Sequence, residues 1–264
     1  MFKINHYLKI YWLSVSRAYM TDLEYRFNFV ASVLNTLFSF GNTLVFFNII
    51  YFRAKEIGGW TKYELLLLLG VYMFIKGIFE FTIRKGLDRL PRYVRKGTFD
   101  GVLLRPVDSL FQVAISKLDF DDLSQIIISF VLIAYSLRKL AWGFNWVYFS
   151  AFVLILFCAT VILFANYLVV MTATFYFTRI HHEEIYKNFL QMTRIPLDIY
   201  SREVQLIFTY VIPMAFFVTL PTKAILGSLN PVFIIVTPIF AAANIYLAVK
   251  FWNYSLRFYN SSSG

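Results

Sequence analysis

The sequence is poor in charge and in cysteine, and it lacks the motifs by which chains commonly hold a nucleotide or a catalytic metal. Only 15% of its residues are Asp, Glu, Lys or Arg, against about a quarter in soluble domains. So little charge could not solvate its apolar surface as a water-soluble globule. Cys158 is the single cysteine, which excludes a disulfide framework. No Gly-x-x-x-x-Gly-Lys-Ser/Thr loop occurs, so the chain has no means of its own to cradle ATP phosphates. His181-His182-Glu183-Glu184 has the chemistry of metal ligands. Adjacent histidines point about 100° apart on a helix, and no H-E-x-x-H spacing is present, so an interfacial turn is the better reading and no metal site is assigned. Acid is scarce too: 15 Asp and Glu stand against 25 Lys and Arg, a net charge of +10. The bases cluster in one loop and at helix ends, where lipid headgroups and membrane topology account for them without nucleic acid. The N-terminus lacks a compact apolar core with a small-residue cleavage site, so no cleavable signal peptide is expected.

What is abundant is apolar and aromatic. The chain is 59% hydrophobic and 20% aromatic, with a mean hydropathy of +0.63. The pattern predicts an all-α integral membrane protein with no soluble domain and no obvious repeat. Residues 1–26 read as a helix lying on the membrane, with Leu8, Tyr11, Trp12, Val15, Ala18 and Tyr19 recurring at helical spacing. Spans are expected over Phe27–Ile50, Tyr63–Ile83, Asp121–Leu137, Phe144–Val170 and Pro231–Trp252, with a turn over Arg53–Lys62. Lys76 and Glu80 share one face of the second span. They read as a pair neutralising itself within the bundle, in preference to a lining of a transport path.

The region from Thr178 to Leu220 admits two drawings. Hydropathy makes Val204–Leu220 the fifth span and leaves the polar Thr178–Glu203 as a loop. Alternatively the polar stretch crosses the membrane, exposing Glu184 and Asn188 to a water-filled path. Residues 203–221 then form a re-entrant hairpin turning near Pro213, with Pro196 before it and Pro221 at its end. Both drawings give six spans with both termini inside, on the side of the charge excess.

The most informative segment is the loop of residues 84–118. Seven Lys or Arg fall between Arg84 and Arg105 against two Asp, a density that places the loop in the cytoplasm. It is also patterned. Leu87, Leu90 and Val94 can share one face of a short helix over Leu87–Lys96, with Arg89, Arg92, Arg95 and Lys96 on others. Gly97 then frees the backbone to turn, and Asp100 and Leu-Leu-Arg105-Pro106 follow. A surface that docks another protein would use such patterning.

Gly97-Thr98-Phe99-Asp100-Gly101-Val102-Leu103-Leu104-Arg105-Pro106-Val107, with Leu110-Phe111-Gln112, resembles a signature of ABC-2-type transporter permeases. Arg194-Ile195-Pro196-Leu197-Asp198-Ile199-Tyr200, then Pro221-Thr222-Lys223-Ala224-Ile225-Leu226-Gly227, and Trp252 to Tyr259 with its serines, are similar to further blocks of that family in the same order. Ile195 stands where an aromatic is usual, and Asn260 where a small residue is commoner. The resemblance covers essentially the whole chain and points to the bacterial branch without a fused ATPase. It implies one transmembrane domain over residues 1–264, in the inner membrane, serving export. The basic loop would couple to a separate ATP-binding subunit, present in two copies, through Leu87, Arg89, Arg92, Arg95, Lys96, Gly97, Asp100, Arg105 and Pro106. ATP and magnesium would be held by that partner and no cofactor by this chain. A second permease, identical or paralogous, would complete the path. The resemblance also favours the drawing with a polar fifth span and an outer hairpin.

Two rival classes fit the residues less well. A membrane phosphatidyltransferase of the CDP-alcohol class would need metal-binding aspartates; Asp100, Gly101, Arg105 and Asp122 fit its spacing, but Gly97 and Leu118 occupy two aspartate positions. Asp119-Phe120-Asp121-Asp122 reads better as an acidic helix start. An ion-coupled secondary transporter or channel would rest on Lys76 and Glu80 alone.

Overall fold

The computed structural model describes residues 2–24, 26–53, 55–118, 120–177 and 182–259. The expected features at Asp119, Thr178, Arg179, His181 and the terminal serines lie outside the described residues.

Almost everything described is helical. α1 (Phe2–Glu24) leads into α2 (Arg26–Arg53), and a short antiparallel hairpin of β1 (Glu56–Ile57) and β2 (Trp60–Thr61) turns the chain into α3 (Lys62–Phe79). Thr61 and Glu64 form a reciprocal capping box there, which satisfies free N–H groups at the helix start. The helical column continues past α3 through a π turn at Glu80–Arg84 and a single α turn at Lys85–Leu87. α4 (Leu90–Arg95), α5 (Asp100–Leu103) and α6 (Ser109–Ala114) follow at the basic end of the molecule. α7 (Leu123–Lys139), α8 (Trp146–Thr172) and α9 (His182–Met192) precede a broken segment. That segment comprises α10 (Arg202–Leu206), π turns at Ile207–Val211 and Ala215–Thr219, and α11 (Leu220–Leu226), before the long α12 (Val232–Ser255).

Among the described residues, four helical stretches are long and apolar enough to cross a membrane: Val30–Arg53, Lys62–Arg95, Trp146–Phe175 and Val232–Phe258. The helical column from Lys62 to Leu87 would extend roughly 40 Å before the chain turns at Asp88 and Arg89, beyond an apolar core of about 30 Å, so it carries the basic loop out of that core. α7 is 17 residues long and α9 is 11. Both are shorter than those four.

α3 is buried on almost every side, with Leu65 to Met73 all inaccessible. It packs along α7, while α8 packs along α12 and α11. α2 is the opposite case: Phe47 is its only buried large apolar residue among those described, and Leu34, Phe38, Phe46, Ile49 and Phe52 are exposed. Further exposed apolar side chains, Phe130, Val131, Phe157, Ile239 and Leu247, continue this belt on α7, α8 and α12. A belt of that kind suits lipid and would drive aggregation in water.

Several expectations change in detail. On α1, Tyr7, Tyr11, Val15 and Ala18 turn partly inward while Leu8, Trp12 and Tyr19 face out, so the helix has two apolar faces. Tyr7 packs edge-on against Phe111 with centroids 4.8 Å apart, and Tyr19 meets Phe120 at 5.8 Å. The break between Leu206 and Leu220 falls at Ile212, which is extended (φ −117°, ψ 91°) as its following proline requires. The second limb does not stop at Leu220. It continues to Leu226: the π turn at Ala215–Thr219 runs into α11 without a break, so Pro221 lies inside the limb, directly after a π turn where the hydrogen-bond ladder is already irregular. Residues 213–222 are buried, whereas Leu206 and Ile207 of the first limb are exposed.

Candidate functional site

The basic loop is built on a polar knot at the end of the α3 column. Glu80, Arg84 and Asp88 recur four residues apart and so share a face. Arg84 bonds the Glu80 carboxylate through Nη1 and lies 3.3 Å from Asp88 Oδ2 through Nη2. Tyr167 of α8 donates its hydroxyl to Asp88, and the Lys187 ammonium of α9 adds a favourable charge. Phe79 meets the Tyr167 ring edge-on at 5.1 Å, and Tyr167 meets Tyr186 of α9 at 4.9 Å. Three helices therefore converge on one charge cluster, whose side chains are largely withdrawn from solvent.

This arrangement corrects the expected Lys76–Glu80 pair. The π turn that begins at Glu80 adds a residue to the helical circuit, and Glu80, 5% exposed, takes Arg84 as its partner. Lys76 makes no ion pair among the described residues.

Beyond the knot the loop folds back on itself. Arg89 Nη1 donates to the carbonyl of Ser116 at 3.1 Å, and Ser116 Oγ to that of Gly86 at 3.4 Å. A side chain at Gly86 would overlap the backbone carbonyls of Val113 and Ala114, so only glycine permits this crossing. The short helix expected over Leu87–Lys96 is shorter than that: Leu87 ends the column, Asp88 and Arg89 turn, and α4 begins at Leu90 with Pro91 in its first turn. Leu87 and Leu90 are fully buried and Val94 is half-buried.

Gly97 closes α4 with φ 65°. The Thr98 N–H reaches the Tyr93 carbonyl at 3.1 Å and the Gly97 N–H that of Val94 at 3.3 Å, a Schellman arrangement. The reversal drives Phe99 into an aromatic socket made by Phe175, Trp252 and Tyr259, with centroids 5.5, 6.2 and 5.2 Å away. Burying a side chain of this size stabilises by about 1.5–3 kcal/mol, which pins the loop to the C-terminal helix. Asp100 opens α5 beside Tyr259; burial first, and then the Asp100 charge, push that phenol above its ordinary pKa. Gln112 Nε2 staples the far side by donating to the carbonyls of Val107 at 2.7 Å and Val102 at 3.2 Å.

The candidate residues thus separate into two groups. Leu87, Arg89, Gly97 and Asp100 hold the loop's shape. Arg92, Arg95, Lys96, Arg105 and Pro106 are exposed. Beside them stand Leu103 and Leu104, the latter 85% exposed, which the sequence reading did not single out. The loop thus exposes four cations and two leucines on a well-anchored base. Asp88, Tyr167 and Phe99 were also missed; the i, i+4 spacing of Glu80, Arg84 and Asp88 was the available signal for the first.

At the opposite end, Asp198 gathers three elements. It pairs with Lys223 of α11 at 2.7 Å and accepts from Trp60 Nε1 at 3.0 Å. The Leu197 N–H donates to Thr219 Oγ1 at 3.3 Å. Pro196, Pro213 and Pro221 are all buried near or within the broken segment that this cluster anchors. Glu184 and Asn188 are exposed on α9.

The family described as ABC-2 family transporter protein matches residues 37–263, from the middle of α2 almost to the C-terminus. Compared with curated proteins and with solved structures, the chain has no match.

Proposed function

Because this chain belongs to the ABC-2 family of transporter proteins, and is thus a multi-pass membrane component of an ABC transporter, we propose that it is the permease of an ATP-driven exporter that docks a separate ATP-binding subunit through residues 92–106. The observation that carries the reading is the exposed surface at the basic end. Arg92, Arg95, Lys96, Arg105, Leu103 and Leu104 are all exposed there, on a loop anchored by the Glu80–Arg84–Asp88 knot and the Phe99 socket. Leu104, exposed at the tip of a well-packed loop, has the character of an interface anchor, and the cations would steer an acidic partner. A rigid base is also what transmission of force requires, since a loose loop would absorb the partner's movement.

In this reading the basic end and both termini are cytoplasmic, as the Lys/Arg distribution favours. α2, α3, α7, α8, α9 with its flanks, and α12 supply six spans, the polar α9 segment being the fifth. The broken segment from Arg202 to Leu226 enters from the outer side and turns back at Ile212–Pro213. The partner ATPase, in two copies, holds ATP and magnesium, and a second permease completes the path. Coupling to an ion gradient instead would call for a carboxylate free to bind the ion. Glu80, the candidate for that role, is engaged by Arg84.

The test is co-purification of the intact complex and identification of an ATP-binding subunit in it. Replacing Arg92 and Arg95 by Glu, or Leu104 by Asp, should abolish recovery of the ATPase or uncouple its hydrolysis from transport while the permease still inserts. Coupled activity equal to wild type in both variants would refute the assignment.

A further inference from the structure

Between α2 and α3 lies a cleft whose charge the described residues do not balance. α2 bears Ser32, Thr36, Ser39 and Thr43 at helical spacing within an otherwise apolar helix. This polar stripe lines a cavity of about 220 Å³ together with Tyr72 and Lys76 of α3. Arg194, just beyond α9, and Asp122, at the start of α7, reach the same space.

The donors here are left wanting. Arg194 lays its guanidinium over the Tyr72 ring, 5.2 Å from the centroid, and its Nε is buried without a hydrogen-bond partner. Tyr72 is only 3% exposed, and its hydroxyl is likewise buried and unpartnered. Lys76 has no ion pair among the described residues. Among the described residues, two cations and a hydroxyl therefore face a cavity with one lining carboxylate, Asp122, which leaves a positive excess. Ionisable groups at this depth are costly, and buried donors without acceptors mark a place where something else supplies them.

The neighbouring space is of opposite character. A second cavity of about 540 Å³ shares Ser39, Thr43 and Arg194 with the first, and its walls include Phe38, Phe46 and Phe47. A cationic, hydrogen-bonding cavity thus adjoins an aromatic groove whose Phe38 and Phe46 walls are open to the surroundings.

We propose that this cleft binds an amphipathic anion: a phosphate or carboxylate head held by Lys76, Arg194 and Tyr72, with the apolar tail against Phe38, Phe46 and Phe47. The proposal rests on the permease reading in taking the occupant to be cargo. The anion neutralises the surplus charge and accepts from the orphaned donors, while the tail finds an aromatic wall without leaving the membrane.

The full chain in phosphatidylcholine nanodiscs, without any ATPase, is titrated with dodecyl phosphate by calorimetry. Saturable binding is expected, weakened about tenfold or more in Lys76→Gln, the scale set by hydrogen bonds to charged groups, and recovered in Lys76→Arg. Dodecyltrimethylammonium, with the same tail and the opposite charge, should not compete. Arg194→Gln is expected to weaken binding similarly; should it fail to fold, Lys76→Gln decides alone. Equal binding of the two amphiphiles, or undiminished affinity in Lys76→Gln, overturns the site. Displacement of dodecyl phosphate by phosphatidylglycerol included in the disc overturns the cargo assignment in favour of a resident lipid. Since no ATPase is present, failure here leaves the co-purification test untouched.

Discussion

Removing Arg84 should unfasten the basic end of the protein. Its guanidinium bonds Glu80 and lies 3.3 Å from Asp88, with the Arg84 side chain 12% exposed and that of Glu80 6% exposed. Arg84→Met keeps the volume and the apolar stem but leaves the Glu80 carboxylate buried without its partner. Breaking a buried pair from one side costs about 3–5 kcal/mol, because the remaining charge keeps its desolvation penalty and loses its compensation. Asp88 also loses its largest favourable charge and keeps Tyr167 and the weaker charge of Lys187; being 23% exposed, it adds a smaller share of the loss. Each 1.4 kcal/mol is about tenfold in an equilibrium constant, so the population with this end unfastened should rise by roughly two to three orders of magnitude. The protein carries its own reporter: Cys158 is the only cysteine and is 4% exposed in α8. A thiol-reactive dye should therefore label it only on unfolding. Arg84→Met should label at a clearly lower temperature than wild type, and Glu80→Gln added to it should recover at least half of the difference, since the stranded charge is then gone. Wild-type behaviour in Arg84→Met, or no recovery in the double variant, would refute the view that this pair anchors the loop.

Gly86→Ala should destabilise by about 1–3 kcal/mol, the usual cost of overpacking, because the new methyl meets backbone carbonyls of Val113 and Ala114 that have no rotamer in which to retreat; the same Cys158 labelling reads it. Gly97→Val places a β-branched residue at φ 65°, a strain of about 1–2 kcal/mol, and should reduce ATPase recovery with the permease still inserted, as quantitative pull-down would measure. In intact cells an impermeant maleimide should reach Ser201→Cys from outside and miss Lys96→Cys; the reverse pattern would invert the proposed topology. Asp198→Asn removes the ion pair with Lys223, but both side chains are about one-third exposed. Its cost should stay near 1 kcal/mol, visible as a small shift in the labelling temperature.

The amino-acid sequence alone determined the class of this molecule. Scarce charge, long apolar runs and a density of Lys and Arg in one loop required helices in a membrane, since no other open-ended backbone satisfies its hydrogen bonds there. Local chemistry also located the α4 stop at Gly97 and the break at Pro213, because both act through the backbone of the residue itself and its neighbour. Which polar groups meet was another matter. Lys76 and Glu80 share a helix face, yet the π turn and the approach of α8 gave Glu80 to Arg84 and Asp88 to Tyr167. Phe99 looked like one apolar residue among many until the last helix and the residues after it supplied Trp252 and Tyr259, more than 150 positions away. Spacing along a chain specifies neighbours within one helix. The partners of a side chain in a neighbouring helix depend on how the helices rotate and slide against one another, and that was decided only by tertiary packing.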